Sequence, residues 1–181
     1  MPDIPKGDTQ MATTEFDWEG FRSLCTRLES LFTEQPDENG TFAGDCRRTL
    51  AYLYTAGVSM PDPGDVFEDA GGEEFWAGAV KLAAPDTDPA ASEDAISALA
   101  ARLLESIREA QPDELEEEVD NEILDAASRL WDVRIILAEG AALFDAERGH
   151  EAAWEWSFGF DDWGSSALLG MTALHDLLWG A

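Results

Sequence analysis

The stretch that decides the fold runs from Trp154 to Gly180 and reads WEWSFGFDDWGSSALLGMTALHDLLWG. It contains four of the chain's seven tryptophans. At the helical turn of about 100° per residue, its apolar side chains fall on two stripes. The first stripe consists of Trp156, Phe160, Trp163, Ala167, Met171, Leu174 and Leu178, and the second of Trp154, Phe158, Leu168 and Trp179. A helix that is apolar nearly all round is usually buried. We therefore predict that this stretch forms the central helix of a bundle.

Only a narrow strip of this stretch is left for water, with Glu155, Asp162, Ser166 and Ala173. Three glycines, Gly159, Gly164 and Gly170, interrupt the pattern. Glycine costs about 1 kcal/mol against alanine inside a helix. We therefore expect the glycines to permit close helix packing or to mark a bend near Gly164.

The rest of the chain also shows helical periodicity, and no stretch alternates as a strand does. The predicted helices are Asp17–Thr33, Phe42–Val58, a short one at Glu73–Ala83, one with Ser92 as its N-cap, and a long one from after Asp113 to Phe144 with a possible break near Asp120–Asn121. A turn is expected at Gly149. The fold prediction is an all-α, single-domain bundle of about six helices, mostly antiparallel hairpins, over residues 15–181 after a disordered tail at 1–14.

Charge limits the classes of partner. Asp and Glu number 39 against 11 Lys and Arg, which gives a formal net charge of −28. Such a chain is repelled by nucleic-acid phosphates and anionic membranes, so we expect no direct nucleic-acid or membrane binding. The acidity fits salt adaptation, a docking surface for a basic partner, or simple solubility. Because acids occur in every segment and lysine only at Lys6 and Lys81, salt adaptation is favoured.

Cysteine usage and the N-terminus predict a cytoplasmic protein. We expect no secretory signal and no membrane-spanning run, and two cysteines are too few for a secreted disulfide framework. Cys25 and Cys46 fall at similar heights on the facing stripes of the first hairpin, where a redox pair is conceivable. Free cysteines are usually small buried hydrophobes, and we favour that interpretation.

The two histidines, His150 and His175, could be metal ligands or a general base. Glu147 and His150 have the ExxH spacing of bundle metal sites, but Gly149 places them at a turn and His175 is the only other histidine. His175 could act as a general base, but no nucleophile is recognisable near it. We therefore favour a histidine at the edge of an apolar stripe that hydrogen-bonds a neighbouring backbone group or carboxylate. The acidic run Asp113–Asp125 can bind cations or a basic partner, or simply be a solvated helix face, which is the favoured interpretation. We assign no catalytic, cofactor or metal residues.

The C-terminal residues carry a family resemblance, in Trp154-Glu-Trp-Ser-Phe-Gly-Phe, Trp163-Gly164 and Ala173-Leu174-His175. Further similar stretches are Tyr52-Leu53-Tyr54-Thr-Ala, Leu130-Trp131-Asp132 and Ala141-Ala-Leu-Phe144. Together they resemble a bacterial family known as Domain of Unknown Function 5063. The resemblance implies a compact all-α domain and no known activity. That family often has histidines around the Trp-Gly pair, where this chain has Asp162 and Ser166, so only His175 remains.

The function we expect from the sequence is a non-catalytic interaction or accessory protein with a protein partner. One alternative is a small bundle enzyme or metal-binding protein that uses His175, His150 and carboxylates. The other is a nucleic-acid mimic that inhibits a basic protein. Any small-molecule pocket is expected along one edge of the tryptophan stretch, at Ser157, Gly164, Leu168, Met171 and His175. The oligomeric state is not predicted.

Overall fold

The computed structural model describes residues 16–33, 42–62, 89–111 and 119–180, and the secondary structure in these ranges is helical without a strand. The helices are α1 (Trp18–Thr33), α2 (Phe42–Gly57), α3 (Pro89–Ala110), α4 (Val119–Asp145), α5 (Gly149–Phe158) and α6 (Phe160–Trp179). The predicted all-α bundle is confirmed. The expected helix at 73–83 and the tail at 1–14 lie outside the described residues.

Helices α4 and α6 form the centre of the bundle and run antiparallel. Gly159, just before α6, lies beside Ile136, whereas Gly170, later in α6, lies beside Arg129, which is about two helical turns earlier in α4. Helix α2 packs on another side of α6, also antiparallel, because Gly57 meets Trp163 while Arg47 covers the ring of Trp179.

Helix α1 packs on α4 and runs antiparallel to it. Arg22 bonds to Asp145 at the end of α4, and Phe32 meets Trp131 near its middle. Helix α3 packs on α4 and α2, and α5 folds back on α4. The antiparallel pairs α4–α6, α2–α6 and α1–α4 join helices that are not consecutive in the chain, and their contacts make one compact bundle.

The core is built from the predicted apolar stripes. Phe21, Leu28, Leu50 and Leu53 are buried on α1 and α2. Trp156 and Trp163 are among the largest fully buried side chains, at 1% and 0% exposure. The first stripe of the tryptophan stretch therefore faces the core, and α6 is a central helix.

The second stripe was wrongly placed. Phe158, Leu168 and Trp179 are 64%, 39% and 57% exposed, so one face of this stretch is open to solvent. The stretch is also two helices, with the break at Gly159 and not near Gly164. Gly164 stays inside α6, where the ring of Phe160 occupies the space that a Cβ would need.

Three helix ends differ from the sequence prediction. Helix α3 begins at Pro89, so Ser92 is inside the helix and is not its N-cap. Proline suits a first helical turn, where its missing N–H has no partner to lose. Helix α2 ends at Gly57 and leaves Val58 exposed. Gly149 is the first residue of α5, because the preceding turn is made by Glu147 at a φ of 61°.

The long helix α4 shows no break at Asp120–Asn121. It runs through both residues as one helix of 27 residues from Val119 to Asp145. Of the acidic run at 113–125, the part within α4 has Ile123 buried and Glu122 exposed. This part is a solvated helix face, as favoured from the sequence.

Candidate binding cleft

An open cleft of about 500 Å³ lies between the two central helices. Helix α4 contributes Trp131, Asp132, Ile135 and Ile136, and helix α6 contributes Asp161, Asp162, Ser165 and Ser166. Both sets have the spacing i, i+1, i+4, i+5, which places four side chains on one face of a helix. The antiparallel packing of α4 on α6 turns these two faces toward each other.

The helix break at Gly159 positions the α6 side of the cleft. Because α6 begins at Phe160, Asp161 and Asp162 lie in its first turn. Carboxylates are favourable there because the backbone N–H groups of a helix start carry partial positive charge. A Cβ at Gly159 would lie 3.4 Å from the Ile136 side chain, an ordinary packing distance, which places the start of α6 directly against α4.

Three carboxylates give the cleft its charge. Asp132, Asp161 and Asp162 line it together with no lysine or arginine. Within the described ranges, none of the three forms an ion pair. Partial burial raises the pKa of Asp132, an effect that Arg129 opposes and Asp125 reinforces. The cleft lining is therefore acidic, with the positive charge of Arg129 offsetting part of the negative charge of Asp132.

The hydroxyl of Ser166 lacks a protein partner. This side chain lines the cleft and is only 9% exposed, yet it forms no hydrogen bond to any residue in the part of the chain that the structure describes. Its neighbour Ser165 donates to the Asp161 carbonyl oxygen at 2.6 Å, as serines in helices often do. The Ser166 hydroxyl is therefore a polar group at the wall of the open cleft, where it can donate to or accept from a ligand.

Trp131 forms a fixed aromatic wall of the cleft. Its ring meets the edge of Phe32, with ring centroids 5.8 Å apart. The guanidinium of Arg134 lies 4.9 Å from the centroid of Trp131. Held between helices α1 and α4 in this way, the indole presents a rigid surface to the cleft.

The five residues expected at a pocket edge lie elsewhere. Gly164, Leu168, Met171 and His175 follow one another at helical spacing on α6, and Ser157 belongs to α5. His175 is exposed beside Trp179, with ring centroids 5.1 Å apart, and Met171 is half-buried against the core. None of the five lines the cleft.

The sequence did contain a signal for the cleft. Asp162 and Ser166, two of the four residues predicted to face water, line the cleft, although Ser166 is buried, and Glu155 and Ala173 do not line it. The α4 side of the cleft consists of Trp131, Asp132, Ile135 and Ile136. Nothing in the sequence connects these four residues with Asp162 and Ser166. Only the packing of α4 on α6 shows that the two sets face each other.

Both cysteines are core residues. Cys25 and Cys46 are 2% and 0% exposed and carry free thiols. Burial raises the pKa of each thiol to about 12, which keeps it protonated and unreactive at neutral pH. The favoured interpretation as small buried hydrophobes is confirmed.

The histidines stand apart from any metal-binding group. His150 is exposed in the first turn of α5, and Glu147 is exposed in the turn before it. Across residues 16–33, 42–62, 89–111 and 119–180, no three His, Cys, Asp or Glu side chains come together in a way that could hold a metal ion. Over the same ranges, none of the helices has the length and apolar character needed to cross a membrane.

Comparison of the chain with protein-family models, with curated proteins and with solved structures finds no match. The resemblance of the C-terminal stretch to Domain of Unknown Function 5063 stays a prediction. The cleft between α4 and α6 is therefore interpreted from its own residues.

Proposed function

We propose that this chain is a non-catalytic, cytoplasmic interaction protein that binds a basic segment of another protein in the cleft between α4 and α6. The observation that carries the proposal is the set of three carboxylates, Asp132, Asp161 and Asp162, without an ion-pair partner in the described ranges. The Ser166 hydroxyl adds a polar group at the cleft wall that a ligand can hydrogen-bond.

Helix stability accounts for only part of this acidic cluster. Asp161 and Asp162 lie at the start of α6, where negative charge stabilises a helix. Asp132 lies in the middle of α4 and gains nothing from a helix end. Asp132 is exposed, but partial desolvation still raises its pKa, and a bound cation would oppose that effect.

The whole-chain charge supports the same partner class. A net charge of −28 attracts basic proteins over long range and speeds their encounter, while the cleft supplies the local contacts. Such attraction weakens as salt screens it, over about 8 Å at physiological ionic strength. The wide spread of the other acids supports a salt-adapted surface, a second property that we propose for the same chain.

The test is isothermal titration of the full chain with a ten-residue peptide of alternating arginine and lysine. We compare the double variant Asp161→Asn/Asp162→Asn with a control, Asp120→Asn/Asp176→Asn, which removes the same charge at exposed positions of α4 and α6. We expect the cleft variant to bind about tenfold more weakly and the control to stay within about twofold of wild type. Equal weakening by both variants would contradict the proposal, because binding would then follow net charge alone.

A further inference from the structure

We propose that the cleft is an arginine pocket, in which the guanidinium of a partner's arginine lies against Trp131 and bonds to the surrounding carboxylates. This inference rests on the proposed function, because it concerns the same cleft. It adds a specificity: the cleft takes arginine in preference to lysine.

The walls of the cleft favour a guanidinium over an ammonium. Trp131 supplies a flat indole, and Ile135 and Ile136 supply apolar surface beside it. A guanidinium is planar and weakly hydrated, so its faces can lie on aromatic and apolar groups. A lysine ammonium is a compact, strongly hydrated charge that would have to lose water against the same walls.

This chain already uses that chemistry at the same ring. The Arg134 guanidinium lies 4.9 Å from the Trp131 centroid and 5.0 Å from that of Phe32. Trp131 thus accepts a guanidinium as a neighbour. The three cleft carboxylates supply the excess negative charge that a second cation needs near Arg134.

The polar groups of the cleft also match arginine. Asp132 on α4 and the pair Asp161 and Asp162 on α6 offer carboxylate oxygens from two sides, and Ser166 adds a hydroxyl oxygen. A guanidinium has five N–H donors in a fixed fork and pairs with carboxylates through two parallel bonds, whereas an ammonium has three donors around one point. Acceptors spread over two helices therefore satisfy more of the donors of arginine.

The experiment uses two capped peptides, Gly-Gly-Arg-Gly-Gly and Gly-Gly-Lys-Gly-Gly, titrated into the full chain at low salt and followed by NMR. We expect the arginine peptide to bind about tenfold more tightly. Trp131→Leu should reduce that ratio to near one by weakening the arginine peptide. Trp131→Phe keeps an aromatic ring against Phe32 and Arg134 and should retain most of the preference, so a folding defect in the leucine variant is distinguishable.

Each outcome bears on a different claim. Equal affinity for the two peptides overturns the arginine pocket and leaves the proposed function standing. The same holds if the ten-residue basic peptide binds but neither short peptide does, or if Trp131→Leu leaves the preference unchanged. Binding of none of the three peptides overturns both proposals.

Discussion

The indole N–H of Trp163 donates a hydrogen bond to the backbone carbonyl oxygen of Trp156 at 2.9 Å. This bond spans the break at Gly159 and ties α6 to α5. The indole of Trp156 in turn donates to the Leu137 carbonyl oxygen at 3.1 Å, which ties α5 to α4. Two buried tryptophans thus link α5 to both helices of the cleft, α4 and α6, and satisfy backbone carbonyls inside the core.

Replacement of Trp163 by phenylalanine should destabilise the fold. The change removes the donor to the Trp156 carbonyl and leaves unfilled volume at a fully buried position. We expect the free energy of unfolding to fall by about 1–3 kcal/mol, measured by urea denaturation. The control is Trp179→Phe, at a 57% exposed position, which should change stability by less than about 0.5 kcal/mol. Equal losses in the two variants would show that the Trp163 bond contributes nothing specific.

Gly140 is required where α4 meets Trp156. A Cβ at this position would lie 2.3 Å from the Trp156 indole nitrogen, and that ring is 1% exposed and cannot move aside. We expect Gly140→Ala to cost about 1–3 kcal/mol of unfolding free energy despite the better helix propensity of alanine. Gly44→Ala on α2, with nothing within 4 Å of the added Cβ, should instead be neutral or stabilising by up to about 1 kcal/mol. The same sign for both changes would contradict this packing.

Glu155 makes stability depend on pH. Burial raises its pKa above the ordinary 4.5, and the neighbouring Glu139 carboxylate raises it further. Because the folded state then holds this proton more tightly than the unfolded state, its stabilising effect is full below pH 4.5 and is lost as pH rises through the raised pKa. Glu155→Gln should remove this decline and be more stable than wild type at pH 7.

The measurement is the midpoint of urea unfolding between pH 4 and pH 8. Glu122→Gln, at an exposed position of α4, provides the matched control and should follow the wild-type curve. If Glu155→Gln unfolds with the same pH dependence as wild type, the folded state does not bind that proton more tightly.

Arg22 and Asp145 join α1 to the end of α4 through two bonds. The guanidinium donates from Nε to Oδ1 at 2.9 Å and from Nη2 to Oδ2 at 2.6 Å. This arrangement holds the pKa of Asp145 below its usual range, so its contribution is present above the ordinary pKa of 3.8 and is lost as pH falls through the lowered value. Since Asp145 is 58% exposed, solvent screens the pair and we expect Asp145→Asn to cost only about 0.5–1 kcal/mol at pH 7.

Salt provides the check on this pair. The loss caused by Asp145→Asn should shrink between 20 mM and 1 M NaCl, because the attraction is partly electrostatic. Asp125→Asn, which removes a single longer contact of 3.6 Å to Arg129, should be close to neutral in both conditions. If the loss of unfolding free energy caused by Asp145→Asn does not change with salt, the loss comes from packing and not from the ion pair.

Periodicity predicted the helices and most of the core because each stripe depends only on residues within one helix. Phe21, Leu28 and Trp163 were placed correctly on that basis. The exposure of Phe158, Leu168 and Trp179 was not predicted, because an apolar stripe does not show which face of a helix its neighbours cover. Helices α2 and α4 pack on other faces of α6 and leave this stripe open to solvent.

The cleft was harder to predict because it belongs to two helices. The sequence shows Asp161, Asp162 and Ser166 as polar positions of one helix and Asp132 as a polar position of another. Their meeting depends on the register of α4 against α6, which Gly159, Gly170 and the buried tryptophans set through contacts distant in sequence. The same holds for the unpaired state of the Ser166 hydroxyl.

The central claim is that a basic ligand binds in this cleft and not over the acidic surface at large. The most direct measurement is a map of backbone amide and indole NMR shifts as the ten-residue basic peptide is added to the ¹⁵N-labelled chain. We predict that the largest changes occur at Trp131, Asp132, Asp161 and Ser166, and that Asp161→Asn/Asp162→Asn needs about tenfold more peptide to reach the same changes at Trp131, Asp132 and Ser166. Shifts of similar size spread over exposed acids such as Asp120, Glu122 and Asp176, and unchanged in that variant, would contradict it.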